Sequence, residues 1–180
     1  MCKHVLLVVD VQNDFITGSL GSAAAVATLP NIRRKVQEYS DRGDRIIFTQ
    51  DTHGDNYFGT HEGRLLPVAH CLKYSHGWEV EESVKAISPG SRFICKSTFG
   101  YPDWSSFSDI INGDEIELIG FCTDICVVSN ALALRAAYFA SDITVDASCC
   151  AGTSKEAHEA ALTVMRSCQI EVINDMEDAK

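Results

Sequence analysis

Residues suited to acyl transfer stand where the apolar runs of this 180-residue chain give out. Cys126 closes the stretch Gly120-Phe121-Cys122-Thr123-Asp124-Ile125-Cys126, which joins an apolar run over residues 115–119 to an alanine-rich segment over 126–140 carrying one charge, Arg135. Read as strand and then helix, this puts Cys126 at a helix N-terminus. There the free N–H groups and the helix dipole favour an anion, which lowers a thiol pKa toward the nucleophilic thiolate. Taken alone, Cys126 reads as a small core hydrophobe. Its companions change the reading: Asp10 follows the run at 4–9, and Lys96 follows the run at 91–95. A lysine beside a thiol favours thiolate, and a carboxylate can move protons between nucleophile, leaving group and water. Singly, Asp10 and Lys96 fit a plain ion pair at strand ends; the three together, at matching ends, point to nucleophilic catalysis.

A second group begins at another strand end. Asp51-x-His53 is followed by His61-Glu62 and then His70, carboxylates and imidazoles of the kind that ligate zinc, iron or manganese. An isolated Asp-x-His is weak evidence, and His76 reads as a solvated loop histidine. The concentration of donors in one loop segment carries the metal reading. Cys122 and Cys126 read poorly as a redox or metal pair, because the gap is three residues and no second pair completes a tetrahedral site. Adjacent Cys149 and Cys150 are strained as a mutual bridge and are assigned to packing. Asp14 is left between a helix cap and a loop residue.

The elements that must position these groups alternate strand and helix. Strands are predicted over 4–9, 45–48, 91–95, 115–119, 143–145 and 170–173, with short continuous apolar runs typical of parallel strands covered on both faces. Helices are predicted from a first turn at Pro30 to Gly43, over 78–87, 104–111 and 126–140, and after a capping-box spacing at Thr153-Ser154-Lys155-Glu156. Residues 55–90 read mainly as functional loop. The alternation implies α/β architecture: a three-layer α/β/α fold around a parallel, Rossmann-like sheet of about six strands. In such sheets ligands bind beyond the carboxyl ends of the strands, near the point where strand order reverses. Asp10, Asp51, Lys96 and Cys126 therefore converge on one edge.

A length of 180 residues fits a single domain over 1–180. A net charge of −10 argues against nucleic acid and anionic membranes as partners. Eight cysteines in a chain this long, several inside apolar runs and with no leader-like or bilayer-length segment, imply reduced thiols and a cytoplasmic protein.

With the motifs in view, the chain resembles the isochorismatase-like cysteine hydrolases, and within them the nicotinamidase/pyrazinamidase group. The resemblance rests on Val9-Asp10-Val11-Gln12-Asn13-Asp14-Phe15 with Gly18-Ser19-Leu20, Thr49-Gln50-Asp51-Thr52-His53, His70-Cys71, Lys96, and Gly120 through Val127. It implies a triad of Asp10, Lys96 and Cys126, a cis peptide before Cys122, and an oxyanion hole formed by the backbone N–H groups of Cys122 and Cys126. It also implies a metal site on Asp51, His53 and His70, with Glu62 preferred to His61 as fourth ligand by its spacing before His70. The ion would be a single divalent metal, zinc first, with iron or manganese also suited. Phe15 is a candidate to pack against a substrate ring, or a core residue. The implied reaction is hydrolysis of nicotinamide to nicotinate and ammonia through a thioester, in a homo-oligomer. The chain departs from the family pattern at Gly54-Asp55-Asn56, Leu66-Pro67-Val68-Ala69 and Tyr74-Ser75, so another small amide, such as a carbamoyl or ureido compound, is the alternative substrate. A non-catalytic or thiol-redox protein on the same fold is the alternative of another class, and a Cys122–Cys126 disulfide would mark it.

Overall fold

The computed structural model describes residues 3–175, so Cys2 and the end of the polar tail lie outside the described residues. A six-stranded, all-parallel sheet has the order β3-β2-β1-β4-β5-β6. The strands are β1 (His4–Val9), β2 (Arg45–Asp51), β3 (Arg92–Lys96), β4 (Glu115–Phe121), β5 (Asp142–Ala151) and β6 (Glu171–Ile173). Helices α1 (Asn13–Ile16), α2 (Ala23–Arg42), α3 (His61–Leu65), α4 (Glu82–Lys85), α5 (Val128–Ala137) and α6 (Lys155–Ser167) complete the chain. Strand order reverses between β1 and β4. Alternate β1 residues feed two cores: Leu6 and Val8 pack with Ile32 and Val36 of α2, while Val5, Leu7 and Val9 pack with Leu134 of α5 and Leu162 of α6. That is the three-layer arrangement read from the sequence. No described helix is long and apolar enough to cross a membrane.

Several boundaries differ from the sequence reading. Helix α2 begins seven residues before Pro30, capped by Ser22, whose hydroxyl accepts from Ala25 N–H. The run 23–29 is rich in alanine, a strong helix former. The bond that Pro30 cannot donate falls on an exposed stretch, since Val26 and Pro30 both face solvent. Strand β5 continues past Val145 to Ala151 because β4 pairs with it there, Gly120 opposite Cys150 and Phe121 opposite Ala151. The segment 104–111 holds only a 3₁₀ turn, Trp104–Ser106, and 78–87 holds only α4. Thr153 does not open a capping box: Ser154 caps α6 by accepting from Ala157 N–H, and Thr153 is taken by Asp124. The helix expected from residue 126 starts at Val128. Before it, Thr123–Val127 forms one π turn closed by Val127 N–H donating to Cys122 O at 3.0 Å.

Candidate active site

Strand β1 ends at the centre of the sheet, and Asp10 turns the chain away with φ at +49°. A non-glycine residue held there is strained, which the surroundings must over-determine. Thr49 supplies part of that hold, its hydroxyl donating to Asp10 Oδ1 at 2.6 Å. Lys96 ends β3, and its ammonium lies 2.6 Å from Asp10 Oδ2, 3.5 Å from Cys126 Sγ and 3.6 Å from Asp51 Oδ1. All four residues are buried.

Burial disfavours each charge, and the neighbours decide the outcome. Burial alone would lower the Lys96 ammonium, but Asp10, Cys126 and Asp51 outweigh it and raise its pKa above the usual lysine range. Burial raises the Asp10 carboxyl, with Lys96 opposing and Asp51 adding to it. Burial pushes the Cys126 thiol well up, Asp10 adds to this and Lys96 opposes it. This corrects the expectation of a thiol lowered by a helix terminus, because Cys126 sits inside the enclosed π turn. Burial and mutual repulsion thus push both Asp10 and Cys126 toward their protonated forms, and the Lys96 ammonium opposes both.

The turn bearing Cys126 is held from three sides. The peptide bond Phe121–Cys122 is cis. Gly120, at φ +122°, lies so close to β1 that a Cβ there would stand 2.0 Å from Val9 O; only glycine fits. Asp124 accepts from Thr153 N–H at 2.8 Å and from the Thr153 hydroxyl at 2.6 Å, tying the turn to the end of β5. Buried Asn130 donates to Cys126 O at 2.8 Å and accepts from Tyr101 N–H and the Trp104 indole.

Beyond Asp51 lies a second cluster. Asp51 Oδ2 is 2.9 Å from His53 Nε2 and 3.3 Å from His70 Nε2, while Glu62 Oε1 is 3.7 and 3.5 Å from the same two nitrogens. One ligand atom from each of these four residues lies within 4.8 Å of the others. His70 Nδ1–H donates to Val68 O at 2.9 Å, which leaves its Nε2 lone pair facing the cluster. Two imidazole nitrogens and two carboxylates at this spacing fit a divalent ion. Tyr57 packs its ring edgewise on both imidazoles. His61 is exposed, and so is His76.

Asp10, Lys96 and Cys126 are thus brought together, as are Asp51, His53, Glu62 and His70, with Asp51 giving one oxygen to each group. Phe15 is buried against the His70 ring, centroids 5.8 Å apart, and lines a cavity beside Cys122. Cys122 and Cys126 are both free thiols, as are the other described cysteines. The sequence reading gave no role to Gln12 or Asn130 and left Asp14 unassigned. The Gln12 carboxamide accepts from Asp51 N–H at 2.8 Å and donates to Asp51 O at 2.9 Å, standing in for the strand that β1 ceases to provide. Asp14 accepts from Cys71 N–H at 2.7 Å and so fixes the loop after His70. A lone asparagine in an apolar helix was a legible signal; Gln12 and Asp14 carried none apart from their place after Asp10.

A family model described as the isochorismatase domain matches residues 4–177. The nicotinamidase/pyrazinamidase of Mycobacterium tuberculosis is 27% identical over 94% of this chain and 98% of its own length. The nicotinamidase of Schizosaccharomyces pombe is 26% identical over 96% and 93%. Among solved structures, a nicotinamidase/pyrazinamidase from Bacillus subtilis superposes with a TM-score of 0.80 at 24% identity, covering 94% of this chain and 98% of that one. A pyrazinamidase of Pyrococcus horikoshii in complex with zinc gives 0.79 at 21%, covering 96% and 99%.

Proposed function

The chain belongs to the isochorismatase family, and from that premise we propose that it is a metal-containing cysteine amidohydrolase converting nicotinamide to nicotinate and ammonia. The observation that carries this reading is the position of Lys96, whose ammonium touches Asp10, Cys126 and Asp51 at once and so joins a nucleophile set to a metal-ligand set. The names of the curated relatives support the substrate.

In the proposed reaction Asp10 takes the Cys126 proton as the thiolate attacks the carboxamide carbon, and Lys96 stabilises the developing charge. A C–S bond forms, and the carbonyl electrons move to oxygen, where the N–H groups of Cys122 and Cys126 receive them as an oxyanion hole. On collapse the C–N bond breaks and Asp10 returns its proton to the departing ammonia, leaving a thioester. Asp10 then accepts a proton from water as it attacks; the C–S bond breaks, Asp10 returns that proton to the Cys126 sulfur, and the acid leaves as nicotinate after losing its own proton to ammonia or solvent. Asp51, His53, Glu62 and His70 would hold the metal, zinc for preference, which when bound offers a Lewis-acid partner to the pyridine nitrogen and so orients the ring. Phe15 packs against that ring.

The test is ammonia release from nicotinamide by purified protein, before and after chelation and with metal restored. Chelator-sensitive release that Cys126→Ala abolishes is the expected result. Near-normal release by Cys126→Ala overturns the mechanism. No release from a metal-loaded protein whose Cys126 still alkylates overturns nicotinamide as the substrate.

A further inference from the structure

A cavity of about 310 Å³ opens beside the catalytic turn. Phe15 and Cys122 form its near end, and Ile125, next to the nucleophile, forms part of one wall. Its far end reaches Ala25 in the first turn of α2 and Ala151 at the end of β5. That volume equals the liquid volume of roughly ten waters, more than an unsubstituted pyridine ring fills.

The lining is mostly carbon, and no charged side chain faces the cavity. The Ser22 hydroxyl oxygen accepts from Ala25 N–H, and the Thr153 hydroxyl donates to Asp124. Cys122 presents a neutral thiol, since burial pushes its pKa up to about 12. A charged group entering here would lose its water and meet no charged partner, whereas an alkyl group would lose nothing. The two glycines of the lining have close neighbours: a Cβ on Gly21 would stand 2.7 Å from Ile16 O, and one on Gly152 would stand 2.8 Å from Asp124 Oδ1. Ala25 lines the cavity with a single methyl, so a larger side chain there would fill part of it.

We infer that this cavity is a substituent pocket, which receives an apolar group carried on the ring of an aromatic carboxamide substrate. The inference rests on the amidase reading above and extends it: alkyl-substituted nicotinamides are better substrates than nicotinamide. Ala25 is then a specificity-determining residue.

The test compares kcat/KM for nicotinamide with that for nicotinamides bearing methyl, ethyl or propyl at ring position 4, 5 or 6. At one position the ratio to nicotinamide should climb by roughly fourfold per methylene, the value for burying one such group. Ala25→Leu should bring that ratio back toward one. Leu66→Trp, which narrows the cavity from its more exposed side, is the second variant should Ala25→Leu fail to fold. Hydrolysis of nicotinamide with flat or falling values along every alkyl series overturns the inference and leaves the amidase reading intact, as does a ratio untouched by the filling variants. Failure to hydrolyse any of these amides counts against the amidase reading. In that case calorimetry with the corresponding carboxylic acids decides the pocket without turnover: a propylnicotinate that binds no tighter than nicotinate overturns it, and one that binds tighter only when Ala25 is intact supports it.

Discussion

Replacing Gln12 tests how the carboxylate of Asp51, a ligand in the proposed metal site, is positioned. Strand β2 outruns β1, so the N–H and C=O of Asp51 face the place where β1 has already turned away. The Gln12 carboxamide fills that place with two hydrogen bonds to Asp51 and a third, at 2.8 Å, to Trp78 O. In Gln12→Ala, Trp78 O keeps the Gln50 amide at 3.1 Å, but both Asp51 groups lose their partner in a fully buried setting. At about 1–3 kcal/mol for each of two orphaned groups, the loss is about 2–6 kcal/mol, or roughly 5–20 °C in Tm for a chain of this size. Freed from its anchor, Asp51 should hold metal roughly 10- to 100-fold more weakly, the usual effect of removing a group that orients a ligand. Gln12→Glu separates hydrogen bonding from packing, because it keeps the shape but turns an acceptor toward two carbonyls. It should be as damaging as alanine. Urea unfolding and metal affinity by chelator competition are the measurements. A Gln12→Glu protein with wild-type stability and affinity would refute the reasoning, and lost stability with unchanged affinity would show that Gln12 supports the fold and not the ligand.

Gly120→Ala should cost at least about 3 kcal/mol, because its Cβ must displace Val9 O in the adjoining central strand and adopt a positive φ; a melting point within 3 °C of wild type would contradict the packing described. His53→Ala should strip most of the metal, measured by elemental analysis, while Cys126 keeps its alkylation by iodoacetamide; equal metal content would remove His53 from the ligand set. Burial raises the Asp146 carboxyl, but bonds from Lys35 at 2.9 Å and from Ser148 outweigh it and hold its pKa below the usual aspartate value. Its contribution is therefore complete above the unfolded value near pH 4 and lost as pH falls through the lower folded value. Asp146→Asn should lower neutral stability by about 3 kcal/mol and flatten the acid limb of a urea midpoint-versus-pH curve; an unchanged acid limb would assign acid unfolding to other carboxylates.

The sequence made the sheet legible because its strands, buried on both faces, are continuous apolar runs ending in polar residues. It made Asp10, Asp51 and Lys96 legible because they stand at or just after the ends of those runs, and the second cluster legible because its donors gather in one loop segment. What it hid was supplied by neighbours distant in the chain. Residues 147–151 are small and show no strand pattern, and their extended form comes from pairing with β4. The segment 126–140 has uniform helical composition, so nothing in it marks the π turn that encloses Cys126 and raises its thiol. Pro30 looked like a helix start because proline is favoured there, yet the alanines before it and an exposed carbonyl let the helix run through. Gln12 was invisible because its partners are backbone atoms 39 residues away.

The central position of β1 also sets an order of assembly. It leaves the ribosome before the other five described strands, and β2 can cover one of its edges early. Its other edge waits for β4, whose first residue pairs with His4 across more than a hundred positions of chain. Until then a bare edge of buried-type residues, Val5 to Val9, is open to any passing strand, the usual starting point for aggregation. A chain shorter than residue 115 therefore has no β4 with which to cover that edge.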